Sequence, residues 1–176
     1  MTTKEMMLSE FDLETSYSRK ALERVPDDRM DWKPHHNSMT LCALATFIAV
    51  IPSWGLDALT RDGYDAQAAD RPAPREAGSR NELLAMFDRN VVAARAAISA
   101  ASDESLGRMW SLRAGDQVFF TQPRWLVYRT YFMNHSIHHR GQLTVYLRML
   151  GVPVPAIYND SADERGGMFL DSAAAA

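Results

Sequence analysis

Cysteine is almost missing from this chain: Cys42 is the only one among 176 residues. One thiol excludes an intrachain disulfide and any zinc cluster built on cysteines. Positive charge is not in excess either. Nineteen Lys and Arg stand against 22 Asp and Glu, for a net charge of -3, so the basic footprint that holds nucleic acid is lacking. No uninterrupted apolar run reaches the roughly 18 residues of a membrane span. The opening MTTKEMMLSEFD turns acidic too early for a secretory leader. These absences lead us to expect a cytoplasmic protein with neither nucleic acid nor membrane among its partners.

What is present is an ordinary globular composition, 47% apolar and 23% charged. The length suits one domain, expected over residues 1–170, with the Ala-rich end at 171–176 frayed. Apolar spacing predicts four long helices. The first opens at Thr2, where Thr2 and Glu5 have capping-box spacing, and carries Met7, Phe11, Leu22 and Val25 on one side. The second is expected to start after Ser38 as N-cap and to kink at Pro52, with Leu41, Leu44, Phe47, Ile48, Ile51 and Leu59 at helical steps. DGYDAQAADRPAPREAG then reads as an irregular link. The third opens at Ser79, with Glu82 completing a second capping box, and continues through Leu84, Phe87, Val91, Ala94 and Ile98. Met109–Arg113 and Gln117–Thr121 alternate around Ala-Gly-Asp, which predicts a small β-hairpin. The fourth runs from Pro123 to about Leu150 and is stopped by GVPVP. The expected fold class is therefore all-α, an antiparallel four-helix bundle with a small β-hairpin before the last helix.

Three of the five histidines fall within MNHSIHHRGQLTVYLR. Residues four apart share a helix face, so His135 and His139 point the same way, with Tyr128 and Phe132 before them and Gln142, Leu143 and Tyr146 after. Arg129, Ser136, Arg140 and Arg148 fall opposite, which makes Arg140 outward-facing or part of an interface. An inward imidazole needs partners for both nitrogens, and a metal ion or ordinary hydrogen bonds would both serve. His138 lies on the flank.

The stretch NHSIHHRGQLTVYLRMLGVPVPAIYNDSADE, with WKPHHNSMTL and LRAGDQVFFTQPRW, resembles the DinB-like family of damage-inducible bacterial proteins from about Met7 to Glu164. Its most specific part is His135, His139, Arg140, Gly141 and Gln142. The resemblance implies a four-helix bundle, commonly a homodimer, with a divalent metal (Zn, Ni or Fe) on three histidines. Two would be His135 and His139, and the third would come from the second helix. It also implies kinship with thiol-dependent hydrolases and transferases that use bacillithiol or mycothiol. The second-helix ligand belongs in a segment like LATHIA, but this chain reads LATFIA, so Phe47 stands in that position. A phenyl ring cannot coordinate. The metal site is expected to be incomplete, its ion weakly held or absent, and the alternative is a non-catalytic small-molecule binder or a dimeric stress-response protein.

Other groups have weaker claims. His35 and His36, Asp57 and Glu14 could offer donors, and Cys42 reads as a small core residue. Tyr17, Phe47, Trp54, Tyr128, Phe132 and Tyr146 would line a central pocket or simply pack the core. Gln142 is placed to hydrogen-bond a ligand histidine, and mid-helix Gly141 implies a close helix approach.

Overall fold

The structure, a computed structural model, describes residues 2–68 and 75–165; the expected frayed end at 171–176 lies outside them. Helix α1 (Thr3–Leu22) begins with the expected capping box: Thr2 Oγ1 accepts from the Glu5 amide and the Glu5 carboxylate accepts from the Thr2 amide. Helix α2 (Leu41–Thr60) starts two residues later than expected, because Thr40 and not Ser38 is the cap and accepts from the Ala43 amide at 3.0 Å. Its first free amides are also satisfied by the preceding loop: Leu41 donates to the Trp32 carbonyl at 2.8 Å and Cys42 to that of Met30 at 2.9 Å. The helix continues through Pro52 as one element.

Helix α3 (Arg80–Ala100) is capped by Ser79, but only half of the expected box forms. Glu82 reaches one residue further back and accepts from the Gly78 amide at 2.8 Å. A short α4 (Asp103–Gly107) leads to the hairpin, β2 (Met109–Ala114) and β3 (Gln117–Pro123), paired antiparallel as the alternation predicts. A third strand, β1 (Gly63–Asp65), lies within the expected irregular link and pairs parallel to β2, giving the order β1-β2-β3. Gly63 permits this pairing, since a Cβ there would sit 2.6 Å from the Ser111 carbonyl oxygen. The last helical stretch comprises α5 (Arg124–Val127), a π-helical segment (Tyr128–Asn134) and α6 (His135–Met149).

Cross-contacts set the directions of the helices. Arg19 pairs with Asp88 and Asp12 with Arg95, so α1 and α3 run oppositely. Ala77 donates to Thr46 and Asn90 to Ala49, so α2 and α3 run the same way. Glu10 pairs with Arg129 and Glu14 with Arg140, which makes the last stretch parallel to α1. The long connection at 61–79 is what allows α3 to start at the same end as α2. Among the described residues two large buried clusters fill the interior, and a smaller third of Ala58, Trp110 and Val127 lies under the sheet. Of the large ones, one gathers Leu22, Leu44, Ile48, Phe87, Leu143 and Leu147, the other Phe11, Ile51, Ala94, Ile98, Tyr128 and Phe132. Contrary to the expectation from run length, α2 is long and apolar enough to cross a bilayer; 72% of its apolar window is buried inside the protein, which marks it as the core helix.

Candidate ligand-binding site

The π-helical segment decides which face of α6 is buried. A π turn holds one residue more than an α turn, so the inward face carrying Tyr128 and Phe132 advances by one position beyond it. The buried stripe of α6 is Ser136, Arg140, Leu143 and Leu147. The expectation that Ser136 and Arg140 face outward is thereby overturned, since Arg140 is 2% exposed. Its guanidinium donates to the Glu14 carbonyl at 2.9 Å, the Glu14 carboxylate at 2.7 Å and the Tyr158 hydroxyl at 2.6 Å. Glu14 is committed to that network and is no donor for a metal near the histidines.

His135 and His139 stand on the flank of this stripe, half-buried, with ring centroids 4.6 Å apart. Burial pushes both imidazoles below their ordinary pKa, opposed at His135 by a hydrogen bond to the Tyr131 backbone and at His139 by one to Gln142. The Gln142 contact joins Oε1 to His139 Nδ1 at 2.7 Å, as expected. Phe47 packs edge-on to both rings, 5.5 Å from His135 and 4.8 Å from His139 between centroids. The family resemblance puts a third imidazole in that place. Among the described residues no cluster of three His, Cys, Asp or Glu forms, so the donor set present does not fit the three-histidine metal site implied by the resemblance.

The other candidates do not converge here. His35 and His36 are exposed and face each other, with centroids 4.1 Å apart. His138 is exposed beside His139. Cys42 is buried, its thiol donates to the Ala77 carbonyl at 3.2 Å, and burial raises its pKa, so it is a packing residue. Among the described residues nothing beyond its own stretch of helix comes within 4 Å of a Cβ placed on Gly141, so the expected close helix approach is not made there. It is made at Gly55, where a Cβ would meet the Phe132 ring at 3.1 Å.

Next to the histidine pair lies a cavity of about 390 Å³, within the range of small-molecule sites. Of the expected aromatic set, Phe47, Trp54 and Phe132 line it, whereas Tyr17, Tyr128 and Tyr146 do not. The opposite wall is the sheet, through Tyr64, Trp110 and Phe120, and Tyr131 closes the side by stacking on Phe120 at 4.6 Å. Polar groups on the wall are few, His135 and Asp57 among them; the indole N–H of Trp110 is buried away from any accessible space and has no hydrogen-bond partner among the described residues. The alternation of Trp110, Leu112 and Phe120 about the hairpin was the available sequence signal for this wall. Nothing local said that it would face α2.

The family model for the DinB family matches residues 1–166. The chain belongs to the DinB family. Several solved structures share its fold, two of them DinB-like proteins from Bacillus. A DinB-like protein from Bacillus cereus ATCC 10987 is 25% identical, covers 88% of this chain and 97% of its own, and superposes with a TM-score of 0.65. A DinB-like protein from Bacillus subtilis is 18% identical, covers 85% of this chain and 96% of its own, and has a TM-score of 0.68. No curated protein matches the chain by sequence. Within this DinB fold, the departure at Phe47 lies where α2 meets the last helix, on the wall of the cavity.

Proposed function

We propose that this DinB-family protein binds a small, largely apolar molecule in the aromatic cavity, beside a histidine pair that does not hold a divalent ion tightly. The four long helical stretches, in up-down-down-up order, are read as the family's four-helix bundle around that site. The observation that carries the proposal is Phe47. The same ring abuts both imidazoles and forms cavity wall, so it takes the volume of a third ligand and adds apolar surface.

A metal- and thiol-dependent hydrolase or transferase is the second reading, favoured by the Gln142 bond that orients His139 in the way metal ligands are oriented. Elemental analysis of untagged protein separates the two. Divalent metal near one ion per chain supports the enzyme and removes the proposal; content far below that supports the proposal. Phe47→His should then raise zinc or nickel affinity by at least about 10–100-fold in calorimetry. No gain would mean that α2 does not hold position 47 where a third ligand belongs.

A further inference from the structure

Given that the cavity binds a small molecule, its wall also specifies how that molecule is held. Among the lining residues His135 is the only one whose side-chain nitrogen can accept a hydrogen bond. One ring nitrogen is taken by the Tyr131 backbone, and a single carbonyl cannot serve both. The other has no partner among the described residues. It is not sealed off either. The buried polar side-chain atoms left without a partner, among the described residues, belong to Trp110, Gln122, Arg124 and Tyr128, and none to His135. At about pH 8, above the ordinary histidine pKa, the ring is neutral and this nitrogen is an acceptor. Charge on an occupant is disfavoured. Seven of the 13 lining residues are Phe, Tyr or Trp, and Asp57, the one Asp, Glu, Lys or Arg among them, is already engaged by Arg61 at 3.3 Å and by a further interaction. A carboxylate or an ammonium would therefore lose water in apolar surroundings without a fixed counter-charge. A neutral O–H meets the nitrogen without that cost, and a phenol packs its ring among the others.

We propose that the cavity selects a neutral hydroxyl donor on a compact apolar body, a phenol above all, which donates to the unpartnered nitrogen of His135. The test titrates the full chain, at about pH 8 with a chelator present, against three probes. They are para-tert-butylphenol, its methyl ether para-tert-butylanisole and the anion para-tert-butylbenzoate. The ether keeps ring and oxygen but carries a methyl group in place of the O–H hydrogen. Calorimetry should find the phenol about three- to tenfold tighter than the ether, the worth of one neutral hydrogen bond, and the benzoate weakest. His135→Phe, which keeps a ring in the wall, should bring phenol and ether together. His135→Gln, whose amide oxygen accepts, should retain part of the preference. Should a variant fail to fold, para-fluoro-tert-butylbenzene is the control on the unmodified chain: its fluorine is close to the hydroxyl in size, has no hydrogen, and must bind less tightly than the phenol. A phenol preference that is absent, or that persists in His135→Phe, overturns donor selection and leaves the binding site standing. Binding of none of the probes overturns both the selection and the site.

Discussion

At the scale of single residues, two mid-helix glycines have opposite roles. Gly55 lets α2 approach the last helix, and the ring its Cβ would touch is itself wedged against Phe11 and Tyr128, with centroids 5.8 and 5.0 Å away. Those two rings resist a shift of Phe132, so Gly55→Ala should cost about 1–2 kcal/mol in denaturant unfolding, overpacking outweighing the gain in helix propensity. Gly141 faces open space on α6. Gly141→Ala should stabilise by up to about 1 kcal/mol. A loss there would place another molecule against this face, as the expected homodimer would.

Among elements, the buried junction of α1, α6 and the C-terminal segment has the largest electrostatic stake. Arg140 packs against the rings of Tyr17 and Tyr158, which meet each other edge-on at 5.1 Å, with its guanidinium carbon 5.6 and 5.2 Å from their centroids, and meets the Glu14 carboxylate at 2.7 Å. Tyr158 is the one non-glycine residue with positive φ, 63°, among the described residues, and its hydroxyl donates to Glu14 at 2.7 Å. That backbone cost is tolerated because the hydroxyl reaches the buried pair. Removing one partner of such a pair leaves the other charge uncompensated in a dry site. Arg140→Ala should therefore cost about 3–5 kcal/mol, and a Glu14→Leu/Arg140→Met double variant much less. Equal losses in the two, measured by urea unfolding, would show that packing rather than charge governs the junction.

For the molecule as a whole, two carboxylates, half-buried Asp65 and exposed Asp163, fasten segments that the helical core does not reach. Asp65 accepts from the Gln67 and Gly115 amides at 3.0 Å each, tying β1 to the hairpin turn. Asp163 accepts from both Arg148 guanidinium nitrogens and from the Val154 amide at 2.8 Å, tying the C-terminal segment to α6. These bonds hold both carboxyls below their usual pKa, chiefly the Gly115 amide at Asp65 and Arg148 at Asp163. The unfolded chain then binds protons more readily than the folded one as pH approaches the carboxylate range. Their stabilisation should be complete above roughly pH 5 and fade as pH falls through about 4 and below. Melting temperature followed from pH 7 to 3 should show that decline, and Asp65→Asn/Asp163→Asn should flatten it. An unchanged slope would assign acid sensitivity to other groups.

Sequence by itself determined the helices, the hairpin, the pairing of His135 with His139 and the break at Phe47, because periodicity, caps and i, i+4 spacing are local. It also sufficed to recognise the family. Three things were decided only in three dimensions. The π turn shifted the buried face of α6 by one residue, taking Arg140 inward, since whether a helix closes one residue wider depends on the partners it packs against. The strand at Gly63–Asp65 exists only because β2 offers an edge to it. The cavity needed the sheet folded against α2, bringing Trp110 and Phe120 opposite Phe47 across more than 60 residues of chain. Contacts that distant leave no periodic trace, because each wall is, along its own segment, an ordinary apolar face.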